Sequence, residues 1–152
     1  MRGVARHAGF TLVELMVTVA IVGLLASVAI PVAQVSMQRV KESELRAALR
    51  EIRGALDAYK AAWDDGRVAR RAGESGFPPS LEVLVSGVED AKSPNKQKIY
   101  FLRRLPKDPL AEAWGKRSYQ SPPDAPNEGP DVFDVYSLAP GTGLNGVPYR
   151  QW

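Results

Sequence analysis

The fold is decided by residues 9–35, whose sequence is GFTLVELMVTVAIVGLLASVAIPVAQV. No charged residue occurs from Leu15 to Gln38. An α-helix of about 20 apolar residues is long enough to cross a bilayer hydrocarbon core about 30 Å thick. The run therefore predicts one membrane-spanning helix over residues 10–35. Glu14 stands near its start, and because a carboxylate in hydrocarbon is costly, this acid is a candidate functional residue.

Residues 1–9, with the sequence MRGVARHAG, form a short basic leader. A secretory signal peptide has an apolar core of about 7–15 residues followed by its cleavage site. Here the apolar run is longer and begins with an acid, so we expect processing before the run, which would keep the run as an anchor. Positive charge ahead of the run predicts a cytoplasmic N-terminus, with the bulk of the chain across the membrane.

An amphipathic helix is predicted to follow over residues 36–66. Its apolar side chains recur at spacings of four, three, four, three and four, namely Leu45, Leu49, Ile52, Leu56, Tyr59 and Trp63. The sequence Asp64-Asp65-Gly66 supplies a stop signal. We expect one helix from residue 10 to about 64, with its apolar stripe packed on a small domain. A coiled-coil seam is the alternative, although the stripe covers barely three heptads.

Two residues are expected to weaken this helix. Pro31 cannot donate a backbone hydrogen bond to the carbonyl of Ser27, so a kink or local loosening is predicted there. Gly23 is a second weak point.

Composition argues against an enzyme. The 152-residue chain has no cysteine, and its single histidine, His7, lies in the leader. Without the leader, Ser–His and Cys–His catalysis and histidine-bound zinc are impossible within one chain. We therefore predict no catalytic residue, no disulfide and no thiol chemistry.

The net charge does not predict nucleic-acid binding. Removing Arg2 and Arg6 lowers the formal charge from +3 to +1, and the remaining charges are interspersed. The small basic clusters are interpreted as solvated loop charges rather than phosphate contacts, and they comprise Lys92, Lys96, Lys98, Arg103, Arg104 and Lys107.

The remaining part, residues 67–152, is predicted to be a small globular head. It holds eleven of the twelve prolines. A short helix is expected over residues 80–87 with Ser80 as N-cap and Gly87 at its end, and strands over residues 116–121 and 131–138. Residues 99–106 could be helical or extended. The predicted fold class is α+β, a long N-terminal helix packed on a small antiparallel β-sheet head whose core that helix completes.

The stretch from Gly9 to Glu14, behind a basic leader and ahead of an apolar run that contains a late proline, resembles the prepilin N-terminus. This resemblance covers roughly residues 6–35 and points to the type IV pilins and the pseudopilins of type II secretion. It implies that prepilin peptidase cleaves between Gly9 and Phe10 and methylates the new Phe10 amine. It further implies that Glu14 pairs with the N-terminus of a neighbouring subunit during assembly. The alternative is that Glu14 only favours the positive end of its own helix dipole.

The head resembles that of the major, G-type pseudopilin of type II secretion. The matching positions are Pro106, Asp108, Pro109, Trp114, Gly115, Tyr119, Asp134, Tyr136 and Ser137. The resemblance implies a subunit anchored once in the bacterial inner membrane, with a periplasmic head, that polymerises into a periplasmic pseudopilus. Implied partners are prepilin peptidase, copies of itself, minor pseudopilins, the inner-membrane assembly platform and, before assembly, membrane lipid. A surface type IV pilin for adhesion, twitching motility or DNA uptake is the alternative, which the absence of cysteine disfavours.

Two departures from the G-type pattern concern the head. Residues 110–113 intervene between the Asp-Pro pair and the tryptophan, and the loop of residues 139–152 contains no acid. The family binds calcium in an acid-rich loop at that place, and calcium takes six to eight oxygens. We therefore predict no calcium site of the family type, no other metal and no cofactor. The upstream acids are expected to be solvated loop residues, namely Asp124, Glu128, Asp131 and Asp134. Tyr149 and Trp152 are expected to clamp the loop by packing.

Overall fold

The computed structural model describes residues 10–152, with the side chain of Val28 excepted. Its elements, in chain order, are α1 (Leu12–Asp64), α2 (Glu82–Ser86), β1 (Val88–Glu89), β2 (Lys98–Ile99), β3 (Trp114–Arg117), β4 (Asp134–Ser137) and a 3-10 turn (Tyr149–Gln151). β1 pairs with β2 and β3 with β4, both antiparallel, in two separate two-stranded sheets. The predicted α+β class is confirmed.

The chain divides into two compact units, the first ending at Arg39 and the second comprising Val40–Trp152. In the first unit α1 is apolar, and every side chain described from residue 10 to residue 37 is exposed. By length and composition, α1 qualifies as a membrane span. The helix continues through Gly23 and Pro31, so neither residue ends it. The kink expected at these residues stays a prediction.

Helix α1 ends at Asp64, the position predicted from the sequence. Gly66 has a φ of +70° and donates its N–H to the carbonyl of Trp63 at 2.9 Å. The N–H of Arg67 donates to the carbonyl of Ala62, also at 2.9 Å. These two hydrogen bonds form a Schellman motif, in which glycine adopts the left-handed conformation that other residues resist. The predicted stop after Asp64 is confirmed.

The core of the second unit is built on the predicted apolar stripe of α1. Leu45 and Ile52 have no exposed surface, and Leu49, Leu56 and Tyr59 are also buried. They join a cluster with residues of the head, among them Leu84, Leu102, Trp114, Val132, Val135 and Tyr149. The apolar stripe therefore packs on the head of the same chain, as predicted, and not as a coiled-coil seam. Trp63, its last member, is only partly buried.

The head departs from the prediction at the N-cap of α2 and in the bounds of both predicted strands. Ser80 is not the N-cap of α2, because that position belongs to Leu81, which makes no side-chain cap hydrogen bond. Gly87, with a φ of +73°, follows the end of α2 as predicted. The strand expected over residues 116–121 lies at Trp114–Arg117, because the Ser118 N–H leaves the ladder and donates to the carbonyl of Asn127.

The strand expected over residues 131–138 is shorter, covering only Asp134–Ser137. Val135 and Ser137 are buried, in line with the alternation, but Val132 is buried as well. Val132 precedes the ladder and donates its N–H to the carbonyl of Pro78, so it does not follow the strand period. Of residues 99–106, Ile99 belongs to β2 and the others form neither helix nor strand. The β1–β2 pair was not predicted, since each strand has only two residues.

Candidate functional site

The first turn of α1 is closed by a reciprocal pair of hydrogen bonds. The N–H of Glu14 donates to Oγ1 of Thr11 at 3.2 Å, and the N–H of Thr11 donates to Oε2 of Glu14 at 3.5 Å. This is a capping box, which satisfies two backbone donors that the start of a helix leaves without intrahelical partners. The Thr-x-x-Glu spacing was visible in the sequence and would have predicted it. Glu14 therefore has a local role at the positive end of the helix dipole.

Glu14 also retains the capacity to bind a cation. Its side chain is exposed, and within residues 10–152 the structure gives it no basic partner. A carboxylate has two oxygens and about four acceptor positions, so a single hydrogen bond from Thr11 leaves room for a partner. Phe10 precedes the helix and is 83% exposed. Gly9 lies outside the described residues, so cleavage between Gly9 and Phe10 stays a prediction.

From Leu15 to Ile30 the described side chains of α1 are apolar except for two hydroxyl groups. The hydroxyl of Thr18 donates to the carbonyl of Leu15 at 2.8 Å, and that of Ser27 donates to the carbonyl of Leu24 at 2.7 Å. Both polar side chains are thus satisfied by their own helix. A helix that is apolar all round is stable only in lipid or against other apolar surfaces. None of the 18-residue stretch that qualifies as a membrane span is buried within the chain.

Asp131 is not the solvated loop acid that the sequence predicted. It is 8% exposed and accepts hydrogen bonds from Oγ of Ser118 at 2.6 Å, from the N–H of Tyr119 at 2.9 Å, and from Oγ of Ser75. Burial, the largest influence, raises the pKa of Asp131, but the hydrogen bonds from Ser118, Ser75 and Tyr119 together outweigh it and hold this pKa below its ordinary 3.8. The carboxylate joins three separate loops of the head.

Asp134 is likewise engaged rather than solvated. Its Oδ1 accepts from Nε of Arg53 at 2.8 Å, and its Oδ2 accepts from Nη2 of Arg117 at 3.4 Å. Asp124 and Glu128 are exposed, and Oε2 of Glu128 lies 3.7 Å from Nζ of Lys116. The prediction of solvated acids is therefore wrong for Asp131 and Asp134 but agrees with the exposure of the other two.

The loop of residues 139–152 is held in part by the aromatic pair that the sequence predicted. The rings of Tyr149 and Trp152 meet edge to face with centroids 5.2 Å apart, and Nε1 of Trp152 donates to the carbonyl of Val147 at 3.2 Å. The loop also contacts Glu42, which was not predicted from the sequence. This acid is 3% exposed and accepts from the N–H of Leu144 at 2.8 Å and from the hydroxyl of Tyr149 at 3.1 Å.

A signal for Glu42 was present in the sequence. Glu42 lies three residues before Leu45 and so extends the buried stripe of α1 by one position. An acid on an apolar stripe must find hydrogen-bond donors when it is buried, because an unpaired buried charge is costly. Arg53, by contrast, flanks the stripe, and nothing local distinguishes it from the other arginines of α1.

The residues present do not fit the calcium loop of the G-type pattern. Across residues 10–152 no group of three or more acidic or histidine side chains is placed to hold a metal ion. The nearby carboxylates of Glu42, Asp131 and Asp134 already accept hydrogen bonds from protein donors. Calcium usually takes several carboxylates among its six to eight oxygens. The absence of a calcium site stays a prediction.

A capped apolar helix that continues into the core of a small α+β head defines the class of type IV pilin-like subunits. The family described as "Prokaryotic N-terminal methylation motif" matches residues 4–30. Type II secretion system core protein G of Klebsiella pneumoniae is 34% identical over 94% of this chain and 89% of that protein. The protein of the same name from Pseudomonas aeruginosa is 33% identical over 88% of this chain and 83% of its own length. The chain belongs to the type II secretion system core protein G family.

The chain is also similar to a type IV pilin, but over a shorter stretch. The type IV major pilin protein PilA of Myxococcus xanthus is 40% identical over 74 residues, which are 49% of this chain and 33% of that pilin. No solved structure matches the chain.

Proposed function

We propose that this chain is a structural subunit that polymerises into a periplasmic pseudopilus and thereby serves type II protein secretion. The observation that carries the proposal is the first unit of the structure, where a capped helix exposes an apolar surface on all sides behind an acid. Such a surface needs lipid around it, and copies of itself offer the same chemistry once it leaves the membrane. The names of the relatives that span most of the chain support the secretion system as the destination.

Processing creates the charge that Glu14 would bind. Prepilin peptidase cuts between Gly9 and Phe10 and methylates the Phe10 amine. An α-amine has a pKa of about 8, so it is largely cationic at neutral pH. Glu14 of one subunit then pairs with the Phe10 amine of a neighbour inside an apolar bundle. There an unpaired charge costs several kcal/mol, so the pair fixes the axial register as subunits are added.

Before assembly, the chain is anchored once in the inner membrane, with its N-terminus cytoplasmic and its head periplasmic. The basic leader on one side of the apolar run supports this orientation. Prepilin peptidase, the inner-membrane assembly platform and minor pseudopilins act on or join the subunit in turn. The chain works through assembly, so we expect neither catalysis nor nucleic-acid binding.

The assembly role of Glu14 can be separated from its capping role with two variants. Glu14→Gln removes the charge, but its amide oxygen can still accept from the N–H of Thr11. Thr11→Val keeps the charge and nearly the same shape, but removes the hydroxyl acceptor of the capping box. Both variants are expressed in full length, processing is followed by the mass of the mature chain, and filaments are quantified by electron microscopy and subunit cross-linking.

We expect Glu14→Gln to be inserted into the membrane but to form few or no filaments, and Thr11→Val to assemble. Normal filament yield from Glu14→Gln would contradict the intermolecular ion pair. Loss of filaments in Thr11→Val together with a normal yield from Glu14→Gln, with processing intact in both, would assign Glu14 to helix capping alone.

The alternative is a surface type IV pilus, and the match to a pilin protein supports it. That match covers about half of this chain, whereas the core protein G relatives cover about nine-tenths. The proposal therefore predicts that deleting the gene stops release of exported proteins while surface pili and twitching remain. Loss of pili with secretion intact would favour the pilin instead.

A further inference from the structure

Arg53 joins three oxygens that come from distant parts of the chain. Its side chain leaves α1 with 39% of its surface exposed. Nε donates to Oδ1 of Asp134 at 2.8 Å, and Nη2 donates to the carbonyls of Val135 at 3.0 Å and Trp152 at 2.8 Å. One guanidinium thus holds β4 and the end of the 139–152 loop against the helix.

This set of oxygens has the chemistry of a cation site. One carboxylate and two main-chain carbonyls are ligand types that calcium uses in proteins. A guanidinium can replace such an ion because it is always charged and carries five N–H donors in a planar fork. A second guanidinium, that of Arg117, lies 3.4 Å from the other oxygen of Asp134. The negative charge at this point is therefore matched by protein cations.

The same helix also contacts the loop at Leu144 and Tyr149 and at the ring of Trp152. Glu42 accepts from the N–H of Leu144 and the hydroxyl of Tyr149, and the guanidinium of Arg46 lies 4.4 Å from the ring centroid of Trp152. Glu42 and Arg53 are eleven residues apart, which is about three turns of helix and places them on one face. Glu42 of α1 therefore holds the loop at Leu144 and Tyr149, whereas Arg46 and Arg53 contact it at Trp152.

We propose that Arg53 is a built-in cation whose planar fork of donors fixes the 139–152 loop to β4, so that this loop needs no divalent metal to fold. The proposal accounts for a loop without acids in a family whose G-type pattern carries an acid-rich one. It concerns the folding of the head alone and does not depend on the proposed function.

The test is hydrogen–deuterium exchange of the full chain in detergent micelles, followed by mass spectrometry over residues 139–152. Arg53→Met removes the charge and the donors while keeping an unbranched side chain that favours helix. Arg50→Met is the control, because Arg50 is exposed on the same helix and makes no hydrogen bond or ion pair within the described residues. Wild type is measured in millimolar calcium chloride and in EGTA.

We expect exchange in residues 139–152 to rise roughly tenfold or more in Arg53→Met, because charge-assisted hydrogen bonds are lost, and to stay at the wild-type rate in Arg50→Met. We expect wild type to exchange at the same rate in calcium and in EGTA. Severalfold slower exchange of wild type in calcium would overturn the proposal, as would equal rates in the two methionine variants.

Arg53→Lys covers the case in which Arg53→Met does not fold. Lysine keeps the charge and the flexible stem but is a point charge without the planar fork, so it cannot reproduce all three hydrogen bonds. Faster exchange in residues 139–152 is expected for Arg53→Lys than for wild type. A rate equal to that of wild type would show that the fork is not required and would overturn the proposal.

Discussion

Truncating Ile52 is the most direct test of how α1 completes the head. Ile52 has no exposed surface and lies in the middle of the apolar stripe. Ile52→Ala removes three buried carbon groups, and at about 0.8 kcal/mol each these come to about 2.4 kcal/mol. The cavity left behind raises the expected loss to about 3–4 kcal/mol. A domain of this size has a free energy of unfolding of about 5–15 kcal/mol, so the loss is large but measurable.

The assay is urea unfolding of the full chain in detergent micelles, followed by tryptophan fluorescence. All three tryptophans, Trp63, Trp114 and Trp152, lie in the second unit and report on it alone. With a denaturant slope of about 1.5 kcal/mol per molar urea, a loss of about 3 kcal/mol lowers the midpoint by about 2 M.

The chain supplies a matched control in Ile30, which is 59% exposed in the apolar half of α1. Ile30→Ala makes the same chemical change where no core of the chain is present, so we expect the tryptophan midpoint to stay at its wild-type value. The reasoning is refuted if Ile52→Ala unfolds at the same urea concentration as Ile30→Ala. It would also fail if Ile52→Ala changed the slope rather than the midpoint, since that would indicate a different native or unfolded state.

Three further changes have definite expected results. Gly54→Ala should raise the free energy of unfolding by about 1 kcal/mol, because alanine favours helix more than glycine does. Gly54 is an exposed residue of α1, and a methyl group added there meets no atom within 4 Å. An unchanged or lower urea midpoint would contradict this. Gly115→Ala should lower the free energy of unfolding by about 1–3 kcal/mol, because a β-carbon there would overlap the ring of the paired Tyr136. If calorimetry shows no fall in melting temperature, the close packing of Gly115 against Tyr136 is contradicted. Asp131 has a pKa below 3.8 in the folded state, so its contribution is present above that pH and is lost as the pH falls through the folded pKa. Asp131→Asn should therefore be less stable than wild type at neutral pH and lose less stability below about pH 4, and parallel pH–stability curves for the two proteins would rule this out.

The elements that the sequence predicted well are those with a long local pattern. The stripe from Leu45 to Tyr59 repeats over several turns, so its buried face follows from helical periodicity alone. The end of α1 at Asp64 was predictable for a similar reason, because Asp64-Asp65-Gly66 is a local stop signal and Gly66 takes the left-handed conformation that ends many helices. The two longer strands of the head begin two residues earlier and three residues later than predicted, since short ladders end where a side chain or loop offers better hydrogen bonds.

Asp131 and Asp134 show why the environment of an acid in the head could not be predicted from the residues next to it in sequence. Asp131 directly follows a stretch rich in proline and glycine, and Asp134 lies in the predicted strand just after it, so both acids were expected to be solvated. Their partners lie far away in the chain: Ser75 is 56 residues from Asp131, and Arg53 is 81 residues from Asp134. No periodicity connects such pairs, so neither the burial of Asp131 nor the ion pairs of Asp134 could be predicted from local sequence.

The sequence by itself determined the family, the anchor and the extent of α1. These features depend on local sequence, in which an apolar run sets the solvent that the helix requires and residues 4–30 match the N-terminal methylation motif family. Tertiary structure alone decided how the 139–152 loop is held, because Glu42 and Arg53 meet it across 102 and 99 residues of chain. Contacts at that separation arise only when the folded core brings α1 and the loop together.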